Sequence, residues 1–203
     1  LSLLIIKSFW GNAQVGVFNA ASQVSESPKM IGQSIAMVQF SRISNLRDND
    51  TAARLTLQLL KIAMVLTAVC IFIVCIVPTS VYSWLFTKDF AEMRVVMIAL
   101  APGVVFMAAN MVLCHYFSGV NMPKHNLFGA LVGLAVTVPS LYLLIPSFGM
   151  VGAGISASLT HLATIIYQWI VFKRINKTSN KELLITKEDM VMLKEAVYGV
   201  FKR

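Results

Sequence analysis

Charge is what this chain lacks most. Nine Asp and Glu and 17 Lys and Arg in 203 residues leave only 13 % charged positions, about half of the roughly 25 % typical of soluble domains. With 57 % hydrophobic residues, there is too little polar side-chain surface to solvate a globule, and the composition is that of a membrane protein. Cysteine is sparse as well. Cys70, Cys75 and Cys114 lie in apolar runs and form no C-x-x-C pair, which supports neither a disulfide framework nor a zinc site. His115, His125 and His161 show no metal-ligand spacing, so no metal or cofactor is expected. The opening run LSLLIIKSFW does not read as a signal peptide, since it is too short to span and has no small-residue cleavage site. Residues 1–10 read as the tail of a truncated membrane helix with Lys7 near its end, which makes the chain a C-terminal piece of something larger.

What the chain has in abundance is long apolar runs. Spans are expected over about 15–40, 62–84, 95–117, 127–145 and 151–172, a five-helix membrane bundle occupying residues 15–172. The polar 41–61 stretch reads as an interfacial elbow, with Asn49 or Asp50 capping a short surface helix whose Leu55, Leu59 and Ile62 share a side. The span from Ile62 to about Trp84 is ended near Pro78, and Tyr82 and Trp84 suit a membrane boundary. Pro102 and Gly103 are expected to bend the third span, which also carries Asn110. Gly129 and Gly133 form a G-x-x-x-G pair, and Gly154, Ser158, His161 and Gln168 share one face of the last span; both patterns favour close helix packing. Residues 173–203 form a basic tail in which Met190, Leu193, Val197 and Phe201 are spaced for one apolar helix face lying on the membrane.

The span over 15–40 differs from the others because it carries Asn19, Gln23, Glu26, Lys29 and Gln33 at helical spacings of three and four residues. An ionised side chain at mid-membrane costs about 2.5–3.5 kcal/mol, against about 0.3–0.6 kcal/mol gained per large aliphatic residue. Such a helix is stable only if its polar face turns into a bundle or a water-filled cavity, where Glu26 and Lys29 can pair or meet a ligand. Pro28 cannot donate to the Val24 carbonyl and implies a kink at the same level. A bent, polar-faced helix is what a transport pathway needs.

Charge placement orients the chain. Eight of the 17 basic residues fall in the last 31 positions, and the links carrying Arg42 to Lys61, Lys124 and the tail are richer in positive charge than the link carrying Lys88 and Arg94. The tail side is therefore expected to be cytoplasmic, with the chain multi-pass in the inner (cytoplasmic) membrane. The same location explains the net charge of +8 through anionic lipid, without nucleic acid.

Three stretches carry a resemblance. VGVFNAASQVSE resembles the start of the eighth helix of the polysaccharide-biosynthesis flippases, FSRIS resembles its cytoplasmic end with Ser41 where Pro is common, and PKHNLFGALVGLAVTVPSLYLLIPSFGMVGAGISASLTH is similar to their eleventh and twelfth helices. That family, the O-antigen type within the superfamily of multidrug, oligosaccharidyl-lipid and polysaccharide exporters, implies an all-α polytopic membrane helical bundle. By this resemblance the chain is the second six-helix lobe of a twelve-helix transporter, paired with a missing N-terminal lobe and working by alternating access. The implied cargo is a polyprenyl-pyrophosphate-linked oligosaccharide, with its lipid tail left among membrane lipids. Lys7 and Lys29 would meet the pyrophosphate, Gln23, Asn19 and Asn110 the sugar hydroxyls, and Glu26 would restrain Lys29 or exchange a proton.

Other functions fit less well. A cation-coupled drug exporter of the same superfamily would be expected to carry several acids inside its helices, and this chain offers only Glu26 there. A membrane enzyme needs acids, histidines or arginines gathered in a sizeable loop, and the external links are short. A purely structural subunit leaves Lys7, Glu26 and Lys29 unexplained.

Overall fold

The structure, a computed structural model, describes residues 2–46, 48–85 and 92–178. The tail helix anticipated beyond Thr186, the link residue Lys88 and the elbow residue Arg47 lie outside the described residues. Among the described residues the chain is all helical: α1 (Ser2–Trp10), α2 (Asn12–Glu26), α3 (Lys29–Ile43), α4 (Asn49–Ile76), α5 (Thr79–Leu85), α6 (Met93–Gly119) and α7 (Lys124–Asn176). Three of these, α4, α6 and α7, are long and apolar enough to cross a membrane. The fold is a helical membrane bundle.

α7 is a helical hairpin: its 53 residues, at about 1.5 Å each, would as one straight rod extend well beyond a bilayer of about 30 Å. It folds back at Gly149, whose φ of +55° lies in a region open to glycine and costly for other residues. The two arms then pack antiparallel. Thr137 Oγ1 hydrogen-bonds Thr160 Oγ1 at 2.6 Å, Ser140 Oγ bonds Ser156 Oγ, and a Cβ on Gly133 would sit 2.6 Å from Thr164 Oγ1. The G-x-x-x-G pair thus serves the hairpin itself, Gly129 and Gly133 seating the Thr164 and Gln168 side of the second arm. Trp10 fastens α1 to this turn: its Nε1 donates to Ile145 O at 3.1 Å, and its ring carbons lie 3.4 Å from where a Gly149 Cβ would stand.

α6 is the central helix and packs against α2, α3, α4 and α7. Its first half enters an apolar cluster with Ile6, Phe18, Leu141 and Ile145 around Met93, Val96 and Met97. Its second half enters another, with Leu57, Leu60 and Phe172 around Leu113, Tyr116 and Phe117. Between the two lies Pro102–Gly103. There the Ser158 hydroxyl of α7 reaches into the α6 backbone, donating to Ala99 O at 2.7 Å and accepting from Gly103 N–H at 3.1 Å. Those two groups are the i−4 pair a helix normally closes on itself.

Two expectations change. The elbow helix and the following span are one continuous helix, α4, since no Gly or Pro interrupts residues 49–76. Its cap is Asp48, which accepts from Asp50 N and Thr51 N. This helix ends at Ile76, next to the Pro78 expected to end it although short of residue 84, because Pro78 cannot donate to Val74 O. Tyr82 is accordingly no boundary anchor. Its ring is 5 % exposed and its hydroxyl donates to that same Val74 O at 2.6 Å, while Arg94 Nε donates to Cys75 O at 3.2 Å. The carbonyls freed by the proline are thereby satisfied away from water.

Candidate functional site

The polar-faced helix is divided into α2 and α3 by Ser27 and Pro28. Both residues keep helical dihedrals, so the chain bends without reversing. The Val24 carbonyl that Pro28 cannot serve accepts instead from Ser27 Oγ at 2.6 Å. Met30 N–H reaches Ser27 O and Ile31 N–H reaches Pro28 O, a tightened turn that restarts the ladder. The bend is held by its own side chain.

Glu26 and Lys29 flank this bend and pair, Lys29 Nζ donating to Glu26 Oε2 at 2.6 Å. Each side chain is 35 % exposed, so the pair faces an opening. A groove of about 400 Å³ is lined there by Asn19, Ser22, Gln23, Glu26, Ser27, Lys29 and Met30. An i,i+3 pair this accessible contributes only about 0.2–0.5 kcal/mol, and an arriving anion can exchange for the glutamate on Lys29. The groove therefore combines one displaceable cation with two amides and two hydroxyls, a set able to bind a phosphate and sugar hydroxyls.

Four of the six anticipated residues, Asn19, Gln23, Glu26 and Lys29, share this groove. Lys7 is exposed on α1 and Asn110 is half-buried on α6, where its Oδ1 meets the Cys114 thiol at 3.7 Å; neither lines the groove. Ser22 and Ser27 join the site without having been singled out, although Ser22 precedes Gln23 on the same polar face. His161, read from the sequence as a packing residue, is half-buried on α7 within electrostatic reach of both Glu26 and Lys29. Gln168 acts between helices as expected, donating from Nε2 to Cys114 Sγ at 3.2 Å. Among the described residues, no group of His, Cys, Asp and Glu is placed to hold a metal ion.

A bundle of apolar helices, bent by proline where a polar face opens into a groove, defines a multi-pass membrane protein. Comparison with known proteins gives the family. Residues 8–201 match the family model described as lipid II flippase MurJ, and the chain belongs to that family. It is a family of flippases, not of enzymes. The chain is also similar to the capsular polysaccharide biosynthesis protein CapF of Staphylococcus aureus, 19 % identical over 175 residues covering 85 % of this chain and 44 % of that protein. The chain thus spans about half the length of the curated relative it matches. No solved structure matches it.

Proposed function

We propose that this chain forms one lobe of a flippase that carries a polyprenyl-pyrophosphate-linked oligosaccharide across the cytoplasmic membrane for cell-surface polysaccharide synthesis. An N-terminal lobe completes the cavity, and the two rock between inward and outward openings. The chain's C-terminus lies on the cytoplasmic side, in keeping with the excess of Arg and Lys at the α3–α4 and α6–α7 ends. The observation that carries this reading is the Glu26–Lys29 pair at the α2–α3 bend, open to a groove with Asn19 and Gln23. Lys29 takes the pyrophosphate in exchange for Glu26, the amides take sugar hydroxyls, and the return of Glu26 to Lys29 releases the cargo. The family name supports a lipid-linked cargo, and the CapF likeness supports a polysaccharide precursor.

The test uses the full-length protein in proteoliposomes and follows transbilayer movement of a labelled polyprenyl-pyrophosphate oligosaccharide. Movement by the parent that Lys29→Ala largely abolishes, with Glu26→Gln retaining the cargo longer, is the expected result. Equal movement by parent and Lys29→Ala removes the lysine from the site. Expulsion of a cationic dye with no lipid movement favours the cation-coupled exporter instead.

A further inference from the structure

A second groove lies at the opposite end of α3, in the elbow where α3 turns into α4. It encloses about 720 Å³ and is lined by Arg42 and Arg54 together with Asn45, Leu46, Leu55 and Gln58, among others. No acidic side chain belongs to its lining. Asp48 stands beside it, and its charge reaches Arg54, but its oxygens are taken by Asp50 N–H and by the Thr51 amide and hydroxyl. Neither arginine makes a hydrogen bond or an ion pair among the described residues. The Asn45 amide is already used, donating to Ser41 O at 2.8 Å. Capacity for an anion therefore falls on two guanidinium groups, with the Gln58 amide beside them.

The surroundings of the arginines say what kind of anion. On α3, Met37 and Val38 precede Ser41 and Arg42 by one turn and so share their face. They are 57 % and 58 % exposed. The groove thus runs from two cations into an apolar strip. Leu46 and Leu55 bring apolar surface into the lining itself. A free inorganic anion or nucleotide has no use for that strip, whereas a lipid matches both halves. Scattered positive charges at a membrane face attract anionic lipid without a site, but here Arg42 and Arg54 line one concave surface that continues into a path for acyl chains, although Arg54 also borders a separate groove with Asp50.

We propose that the α3–α4 elbow binds the phosphate headgroup of an anionic membrane phospholipid between Arg42 and Arg54, with its acyl chains lying along Met37 and Val38. This site does not depend on which cargo crosses at Lys29. The bound lipid ties the end of the bent α3 to α4, and so steadies the arm that carries Lys29 at its other end.

Native mass spectrometry of the full-length protein released from micelles, titrated with phosphatidylglycerol or phosphatidylcholine, tests this. One saturable phosphatidylglycerol per chain is expected, with phosphatidylcholine retained weakly. At about fivefold per basic residue near a membrane surface, Arg42→Gln should weaken retention about fivefold and Arg42→Gln/Arg54→Gln about thirtyfold. Lys124→Gln/Arg174→Gln, which removes two cations at the same end but outside the groove, should leave the saturable step unchanged. An unchanged melting temperature establishes that each variant is folded. The proposal is overturned if both double variants lose the lipid equally, if neither does, or if excess inorganic phosphate displaces it as well as phosphatidylglycerol does.

Discussion

Replacing Ser158 by alanine tests how the bend of α6 is held. In the native protein one hydroxyl bridges Ala99 O, at 2.7 Å, and Gly103 N–H, at 3.1 Å. Removing it strands both backbone groups inside the bundle. If neither found a partner, each would cost about 1–3 kcal/mol. α6 can recover by closing Gly103 N–H directly onto Ala99 O, but that requires the helix to straighten against Pro102. Interhelical hydrogen bonds in membranes average about 0.6 kcal/mol and reach about 1.7 kcal/mol. The bent, proline-bearing site places Ser158→Ala in the upper part of that range, a loss of about 1–1.7 kcal/mol. The assay is reversible unfolding of the purified protein in mixed micelles, followed by far-ultraviolet circular dichroism. A companion variant, Gly103→Ala, would put a Cβ 2.8 Å from both Ser158 Cα and Ser158 Oγ, an overpacking cost of about 1–3 kcal/mol. Because the two positions touch, the double variant should lose less than the sum of the singles. A Ser158→Ala protein within about 0.3 kcal/mol of the parent, or a double variant additive within about 0.5 kcal/mol, would refute the reasoning.

Other expectations follow from the same geometry. Gly16→Ala, in a helix interior where a new Cβ meets nothing within 4 Å, should be neutral or stabilise by up to about 1 kcal/mol, whereas Gly133→Val drives a side chain into Thr164 Oγ1 and should destabilise the α7 hairpin by about 1–3 kcal/mol; one set of unfolding curves decides both. The Asp48 carboxyl is held below its ordinary value of 3.8 by the Thr51 hydroxyl first and then by the Thr51 and Asp50 amides. Its capping contribution is therefore complete above about pH 4 and lost as pH falls through the lower folded value. Asp48→Asn, an uncharged cap, should flatten that acid limb of a melting-temperature profile; an unchanged limb would show that other carboxylates set it.

The membrane class, the helical bundle and the bent polar helix were legible because they depend on composition and on the 3.6-residue period. Asn19, Gln23, Glu26 and Lys29 fall on one face by spacing alone, and Pro28 marks the bend by lacking a donor. Lys7 and Asn110 stand out in the sequence by their chemistry, which carries no information about which groove a residue lines. The start of α4 is not legible for a related reason: a shift from polar to apolar side chains near residue 61 reads as a junction, while the backbone, with no Gly or Pro there, simply continues.

The chain's residues by themselves determined what must be buried in apolar surroundings, which helix must hide a polar face, and where prolines would leave carbonyls without donors. They did not determine the partners that answer those needs. Tyr82 serves Val74 from beyond the proline, Ser158 serves α6 from 55 residues away, and Thr164 fills the space over Gly133. Periodicity fixes the direction a side chain takes from its own helix, whereas register and rotation between helices arise only when all of them pack together and every polar group, cut off from water, settles on the nearest available partner.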